Sequence, residues 1–154
     1  SNLYKDNKNF RFVLVGSGIE WKNKELVKLI EEYGLGSVVK LLGEQQDISK
    51  ILNSLDIYVS TSISESFSLT LVEAIACKVL SISSDTGIAR DALSNDLCIV
   101  KTKSSSELVS AVKSLIELPS EDIIRIVDDS YKIITEKFDE RSMLDNYNNL
   151  YLSV

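Results

Sequence analysis

The 154-residue sequence contains no histidine. That absence removes imidazole-based zinc sites, Ser-His-Asp triads and histidine proton shuttles. Two cysteines are too few for a structural zinc site. Cys77 and Cys98 lie in the apolar runs Ala74-Ile75-Ala76-Cys77 and Leu97-Cys98-Ile99-Val100, and they read as buried, reduced thiols. Proline occurs once, at Pro119, and no low-complexity stretch or internal repeat is present. Basic residues are the minority, 17 against 23 acidic, for a net charge of -6. This balance argues against a nucleic-acid partner, which would need clustered Lys and Arg on one face. No apolar run approaches the roughly 18 residues of a membrane span, and no signal-peptide pattern opens the chain. A cytoplasmic location is therefore expected.

What is present is a regular alternation. Phe10 to Val15 is a β-rich run stopped by Gly16-Ser17-Gly18. Leu26, Leu29, Ile30 and Tyr33 follow at i, i+3, i+4, i+7, the spacing of one helical face, with Gly34 and Gly36 to end it. Val38 to Leu42 is a second strand, closed by Gly43; Asp47 is placed to cap a helix with apolar residues Ile48, Ile51, Leu52 and Leu55. Ile57-Tyr58-Val59 is a third strand, and a helix is expected from about Ser68 to Cys77. Val79 to Ser83 is a fourth strand, Ala89 to Leu93 a short helical turn, and Leu97 to Val100 a fifth strand. Beyond Lys101 the pattern is helical: Leu108, Val112 and Leu115 on one helix, Ile124, Val127, Tyr131 and Ile134 facing inward on the next, and Leu144, Tyr147 and Tyr151 on the last.

Strands separated by helices at this spacing imply a parallel sheet, because parallel neighbours need crossover connections. The strands are near-continuous apolar runs, as when both faces of a sheet are covered. The expected fold is α/β: a Rossmann-like parallel sheet with flanking helices and a C-terminal helical tail. Ligands of such sheets bind beyond the carboxyl ends of the strands. That rule selects the loops at 16–20, 43–47, 60–68 and 84–88.

The loop after the third strand carries the most chemistry. Ser60-Thr61-Ser62-Ile63-Ser64-Glu65-Ser66-Phe67-Ser68-Leu69 leads into a helix. Free N–H groups at a helix N-terminus suit a phosphate or another anion. Glu65 stands just before that terminus and Glu73 two turns into the helix, where a carboxylate can accept a pair of sugar hydroxyls. Each residue also has a plain alternative: Glu65 as a favourable charge near a helix start, Glu73 as part of a solvated face.

The segment Glu65-Ser66-Phe67-Ser68-Leu69-Thr70-Leu71-Val72-Glu73-Ala74-Ile75-Ala76 resembles the donor-site signature of the retaining glycosyltransferases of family 4, the group 1 family, usually Glu-Gly-Phe-Gly-Leu, three variable residues, then Glu-Ala-Met-Ala. Phe12 to Gly18 resembles that family's strand ending in Gly-x-Gly, Val39 to Gly43 its Val-x-Phe-Leu-Gly strand, Leu55 to Ser62 its Ala-Asp-x-Phe-Val-x-Pro-Ser strand, and Asp85-Thr86-Gly87 its Gly-Gly turn. Phe138 to Tyr151 resembles its closing helix. The resemblance implies a GT-B enzyme, two Rossmann-like domains across a cleft, with this chain in the C-terminal, donor-binding half. It implies that Glu65 contacts donor-sugar hydroxyls, as the catalytic residue, and that Glu73 contacts the ribose. It places the amides of Ser66, Phe67, Ser68 and Leu69 toward the sugar and diphosphate, Gly16 and Gly18 along the cleft, and Gly43 and Glu44 near the base. No cofactor and no metal are expected; the donor is a nucleotide-diphospho-sugar and the acceptor a glycan or glycolipid, as in polysaccharide biosynthesis.

The sequence departs from that pattern in several places. Ser66 and Ser68 replace glycines, which bears on any position needing φ > 0. Lys78 replaces the glycine that ends the helix, Leu80 a proline, and Ile88 the second glycine of the later turn. The family's donor domain opens with a strand, an Arg and a Lys that hold the diphosphate, and a helix. Before Phe12 this sequence offers only Lys5, Lys8 and Arg11, in another context. The expectation is therefore of a partial donor domain, without the acceptor domain and without the strand that is central in the order 3-2-1-4-5-6. Such a sheet would close the gap or pair with another molecule, so self-association is expected, and any peripheral membrane association would belong to the parent enzyme. The alternative is a noncatalytic nucleotide- or sugar-binding module. A dinucleotide oxidoreductase fits poorly, because Trp21 stands where the third fingerprint glycine belongs.

Overall fold

The computed structural model describes residues 2–152. The order of elements is α1 (Asn2–Asp6), β1 (Phe12–Leu14), α2 (Lys24–Glu32), β2 (Val39–Leu41), α3 (Ile48–Leu52), β3 (Ile57–Ser60), α4 (Leu69–Ala76), β4 (Leu80–Ser84), α5 (Ala89–Ala92), a 3-10 turn (Asp96–Cys98), β5 (Ile99–Val100), α6 (Ser105–Ile116), α7 (Ser120–Lys137) and α8 (Glu140–Leu152). This is the expected α/β alternation followed by a helical tail. All strand pairs are parallel. They form two sheets rather than the one expected: β1-β2, and β3-β4-β5. The chain divides accordingly into two compact units, residues 1–48 and 49–154.

In the first unit β1 and β2 pair in the register Phe12 to Val39 and Leu14 to Leu41. Ile30, Val39 and Leu41 are its buried centre, with Phe12, Leu14, Ile19, Leu26 and Leu35 packed around them. Asn23 caps α2 by accepting from Leu26 N–H at 3.2 Å, as a short polar side chain does at a helix start. The expected apolar face of α2 is only half used. Ile30 is buried, but Leu29 and Tyr33 are 49% and 59% exposed, because the two-stranded sheet is too narrow to cover a full helical stripe.

In the second unit β4 lies between β3 and β5, and every one of its residues is buried. A central parallel strand must be apolar or internally satisfied on both faces. Ile82 is fully buried, while the Ser81 hydroxyl donates to Val79 O, Ser83 to Ser84 O and Ser84 to Ser60 O. Helices α4 and α7 pack on β4 and on each other, and α6 packs on β5. The fully enclosed side chains Leu71, Ile75, Ile82, Cys98 and Leu115 mark this core.

Several sequence expectations shift. The fifth strand shrinks to Ile99–Val100, because Asn95 accepts from Leu97 N–H and winds Asp96–Cys98 into a 3-10 turn. The buried residues of α7 are Ile126, Ser130 and Ile134, while Ile124 is 59% exposed. The stripe runs through Ser130, whose hydroxyl donates to Ser94 Oγ and accepts from Ser94 N–H, so a polar residue occupies an inward position that hydropathy alone gives to an apolar one. Cys98 is buried as expected, and burial pushes its thiol up to about 11; Cys77 is only half-buried. Both cysteines are free thiols. On α8, Leu144, Tyr147 and Tyr151 are exposed. No described helix is long and apolar enough to cross a membrane.

Candidate functional site

Sequence placed the candidate residues in two groups, and the structure holds each group in its own unit. In the first unit the loops after β1 and β2 are stitched together. Gly16 N–H donates to Gly43 O at 2.9 Å, and Gly43 N–H donates to Ile19 O at 2.8 Å. Gly16, Gly18 and Gly43 all have positive φ (142°, 75° and 67°), and a Cβ on Gly43 would come within 3.2 Å of Glu20 Cγ. Asn23 Nδ2 donates to Gly18 O at 2.9 Å and ties this loop to the start of α2. Glu44 is exposed just beyond Gly43. The basic residues ahead of β1 are engaged locally: Arg11 donates to Lys8 O and Phe10 O, and Lys8 stands over the Tyr4 ring.

In the second unit the 60–69 segment links β3 to α4. Ser68 is the N-cap of α4, buried, with extended backbone (φ -97°), and its hydroxyl makes no capping bond. The first helical bond back to it is Val72 N–H to Ser68 O at 3.2 Å. The N–H groups of Leu69, Thr70 and Leu71 therefore have no helical acceptor at the positive end of the helix. Leu69 is 69% exposed at this end. Phe67 is fixed by an edge contact to Phe138, ring centroids 5.6 Å apart at 82°. Glu65 is half-buried, and its Oε1 accepts from Ser62 Oγ at 2.6 Å. Glu73 is exposed on α4.

Sequence reasoning passed over Tyr58 on β3. Burial pushes its phenol above the ordinary value, a hydrogen bond with Ser60 opposes this, and negative charge on Glu65 and Glu73 adds to the rise. Tyr58 is the second residue of β3, two positions before the strand's carboxyl end at Ser60. A cleft of about 300 Å³ opens at the carboxyl ends of β3, β4 and β5, lined by Thr61, Ile63, Ser84, Val100, Lys101 and Ser104 among others.

The turn after β4 approaches the same segment from the other side. Gly87 has φ +53°, and a Cβ there would lie 3.3 Å from Glu65 O and 3.4 Å from Ser66 O. Only glycine combines this backbone angle with so close a contact. The serines that replace glycines, by contrast, sit without strain: among the described residues the only non-glycine positions with positive φ are Lys78 and Lys103. Ser66 and Ser68 therefore need no glycine. Ile88 (φ -90°) needs none either. Leu80 pairs with Ile57 within the ladder. Lys78 does occupy a left-handed position, at φ 56°, where it donates to Asp128 at 2.9 Å and stands 4.9 Å from the Tyr131 ring centroid.

Residues 1–132 match the family model described as glycosyl transferases group 1. The chain belongs to the group 1 glycosyltransferases. A relative from Campylobacter jejuni, N,N'-diacetylbacillosaminyl-diphospho-undecaprenol alpha-1,3-N-acetylgalactosaminyltransferase, is 34% identical over 119 residues, 76% of this chain and 30% of that protein. The crystal structure of Anabaena Alr3699/HepE in complex with UDP and glucose superposes with a TM-score of 0.79 at 25% identity, covering 92% of this chain and 40% of that one. The C-terminal domain of a group 1 family protein (LpcC) from Francisella tularensis superposes with a TM-score of 0.66 at 20% identity, over 90% of this chain and 92% of that one. The chain thus spans less than a third of the Campylobacter relative. Its fold is that of one Rossmann-like half of a GT-B glycosyltransferase.

Proposed function

We propose that this chain is the donor-binding part of a retaining glycosyltransferase that takes a nucleotide-diphospho-sugar and passes the sugar to a glycan or glycolipid acceptor. The carrying observation is the N-terminus of α4, which has no side-chain cap, follows directly on the Glu65 segment and bears Glu73 further along the same helix. The Anabaena neighbour's complex with UDP and glucose supports a uridine nucleotide-sugar as the first donor to test. Supporting the assignment to the C-terminal half is the Francisella domain, which this chain matches along nearly all of its length.

In this reading Glu73 accepts the two ribose hydroxyls and Glu65 accepts hydroxyls of the donor sugar. When the sugar's anomeric carbon–oxygen bond breaks, the electron pair leaves on the diphosphate. The free N–H groups of Leu69, Thr70 and Leu71 face that growing negative charge, and fixed donors of this kind cost no reorganisation at the moment of reaction. The site works without a metal, the enzyme is cytoplasmic, and contact with a membrane comes through the acceptor.

The test is product formation by the full-length transferase against a panel of nucleotide-sugars that includes UDP-glucose. Glu65→Gln is expected to lower kcat and Glu73→Ala to raise the donor KM, each at least about tenfold, the scale of one lost hydrogen bond to a charged group. Wild-type kinetics in both variants would overturn the donor-site assignment.

A further inference from the structure

We propose that Ser62 is a positioning residue, one that holds the Glu65 carboxylate in the orientation that receives the donor sugar. The inference rests on the donor-site reading of Glu65 and goes beyond it by naming what sets that side chain's direction. The backbone of the Glu65 segment is already fixed from two sides. Gly87 packs directly on Glu65 O and Ser66 O, where a Cβ would sit at 3.3 and 3.4 Å, and Phe67 is pinned by its edge contact with Phe138. What remains free is the Glu65 side chain itself, with three torsions between backbone and carboxylate. Ser62, three residues earlier and half-buried, donates its hydroxyl proton to Oε1 at 2.6 Å.

A hydroxyl-to-carboxylate bond of this length is in the strong, charge-assisted range. It selects one side-chain orientation. An ionised carboxylate has about four acceptor sites, so one donated proton leaves Oε2 and the second lone pair of Oε1 for other hydroxyls. Ser62 therefore orients Glu65 without using up its capacity. Ser62 follows β3 by two residues, so the orienting group stands close to the sheet.

The deciding experiment compares Ser62→Thr and Ser62→Val, nearly equal in shape and different in one hydroxyl, in the full-length transferase. The donor is the nucleotide-sugar with the highest turnover in the panel, and the Kd of UDP alone reports on the rest of the site. The Val variant is expected to lose about tenfold in kcat/KM, the scale of one hydrogen bond to a charged group. The Thr variant should keep most of the wild-type value, and the Kd for UDP should stay within about twofold in both, as expected when one contact is removed cleanly. The double variant Ser62→Val with Glu65→Gln should be no worse than Glu65→Gln alone, because Ser62 acts only through Glu65. Multiplying losses in the double variant would overturn the proposal, as would equal kinetics for Thr and Val beside a crippled Glu65→Gln. That second result leaves the donor reading standing. Wild-type kinetics in Glu65→Gln removes the donor-sugar role of Glu65 and the positioning role with it.

Discussion

Single positions decide how closely the turn after β4 can approach the Glu65 segment. Gly87 is the clearest, since it joins a left-handed backbone (φ +53°) to a contact that a methyl group would tighten to 3.3 Å against Glu65 O. Gly87→Ala is expected to destabilise the fold by about 1–2 kcal/mol, the cost of a Cβ in the left-handed region. Because the displaced atoms belong to Glu65 and Ser66, transfer activity should fall further than the loss of folded protein explains. Urea unfolding alongside initial rates checks this, and unchanged stability would show that the turn relaxes freely. The family resemblance drew attention to Ser66, Ser68, Lys78 and Ile88 as glycine replacements. Sequence could not say which of them need a glycine conformation. Of these four, only Lys78 has positive φ, because it alone follows a helix end in the left-handed position.

At the scale of elements, α6 shows how a helix start carries a pH signature. Ser104 caps it by accepting from Glu107 N–H, while Glu107 itself accepts from Lys101 N–H and pairs with the Lys101 ammonium at 2.9 Å. The Lys101 backbone bond, then its side chain, hold the Glu107 carboxyl below its ordinary 4.5. A carboxyl lowered in the folded state contributes stability above its unfolded value and loses it as pH falls through the folded value. Glu107→Gln should therefore be less stable than wild type at pH 7, and the difference should close as the solution is taken well below pH 4. Urea midpoints for the two proteins across that range check the sign; a gap that widened on acidification would refute it. The elements themselves were largely legible. Apolar periodicity placed α4 to within a residue at each end and found α6 and α7 by their stripes, since each buries apolar side chains on one face. It failed where side chains compete with the ladder, as Asn95 does before β5, and where a serine pair takes an inward position, as Ser94 and Ser130 do. It also passed over α1, a five-residue helix with no buried residue to signal it.

For the whole molecule, the division into two units sets an expectation about stability. The first unit has a two-stranded sheet and four buried apolar residues among those described, Ile30, Val38, Val39 and Leu41. Two strands with so small a core are marginal on their own, whereas a third strand and covering helices give independent stability. Native-state hydrogen exchange should therefore find β1 and β2 amides less protected than those of β3 and β4 by at least about tenfold, one RT ln 10 of opening free energy. Equal protection would mean that the two units open together.

The sequence by itself determined the α/β alternation, the parallel connections and the family, and it picked out Glu65 and Glu73 as candidates, because each of these is written in local spacing: apolar periods, turn residues and a motif of fixed length. The tertiary structure alone decided the rest. It split the strands into two hydrogen-bonded sheets, set Gly87 against Glu65, brought Tyr58 under the influence of both carboxylates, and gave Ser62 its hold on Glu65. The ladder partners, the Gly87 contact and the charge that reaches Tyr58 from Glu73 depend on which segments the fold brings side by side, and Ser62 meets Glu65 only through the path the loop takes after β3. The period of a sequence carries no distance between residues that fold apart or together.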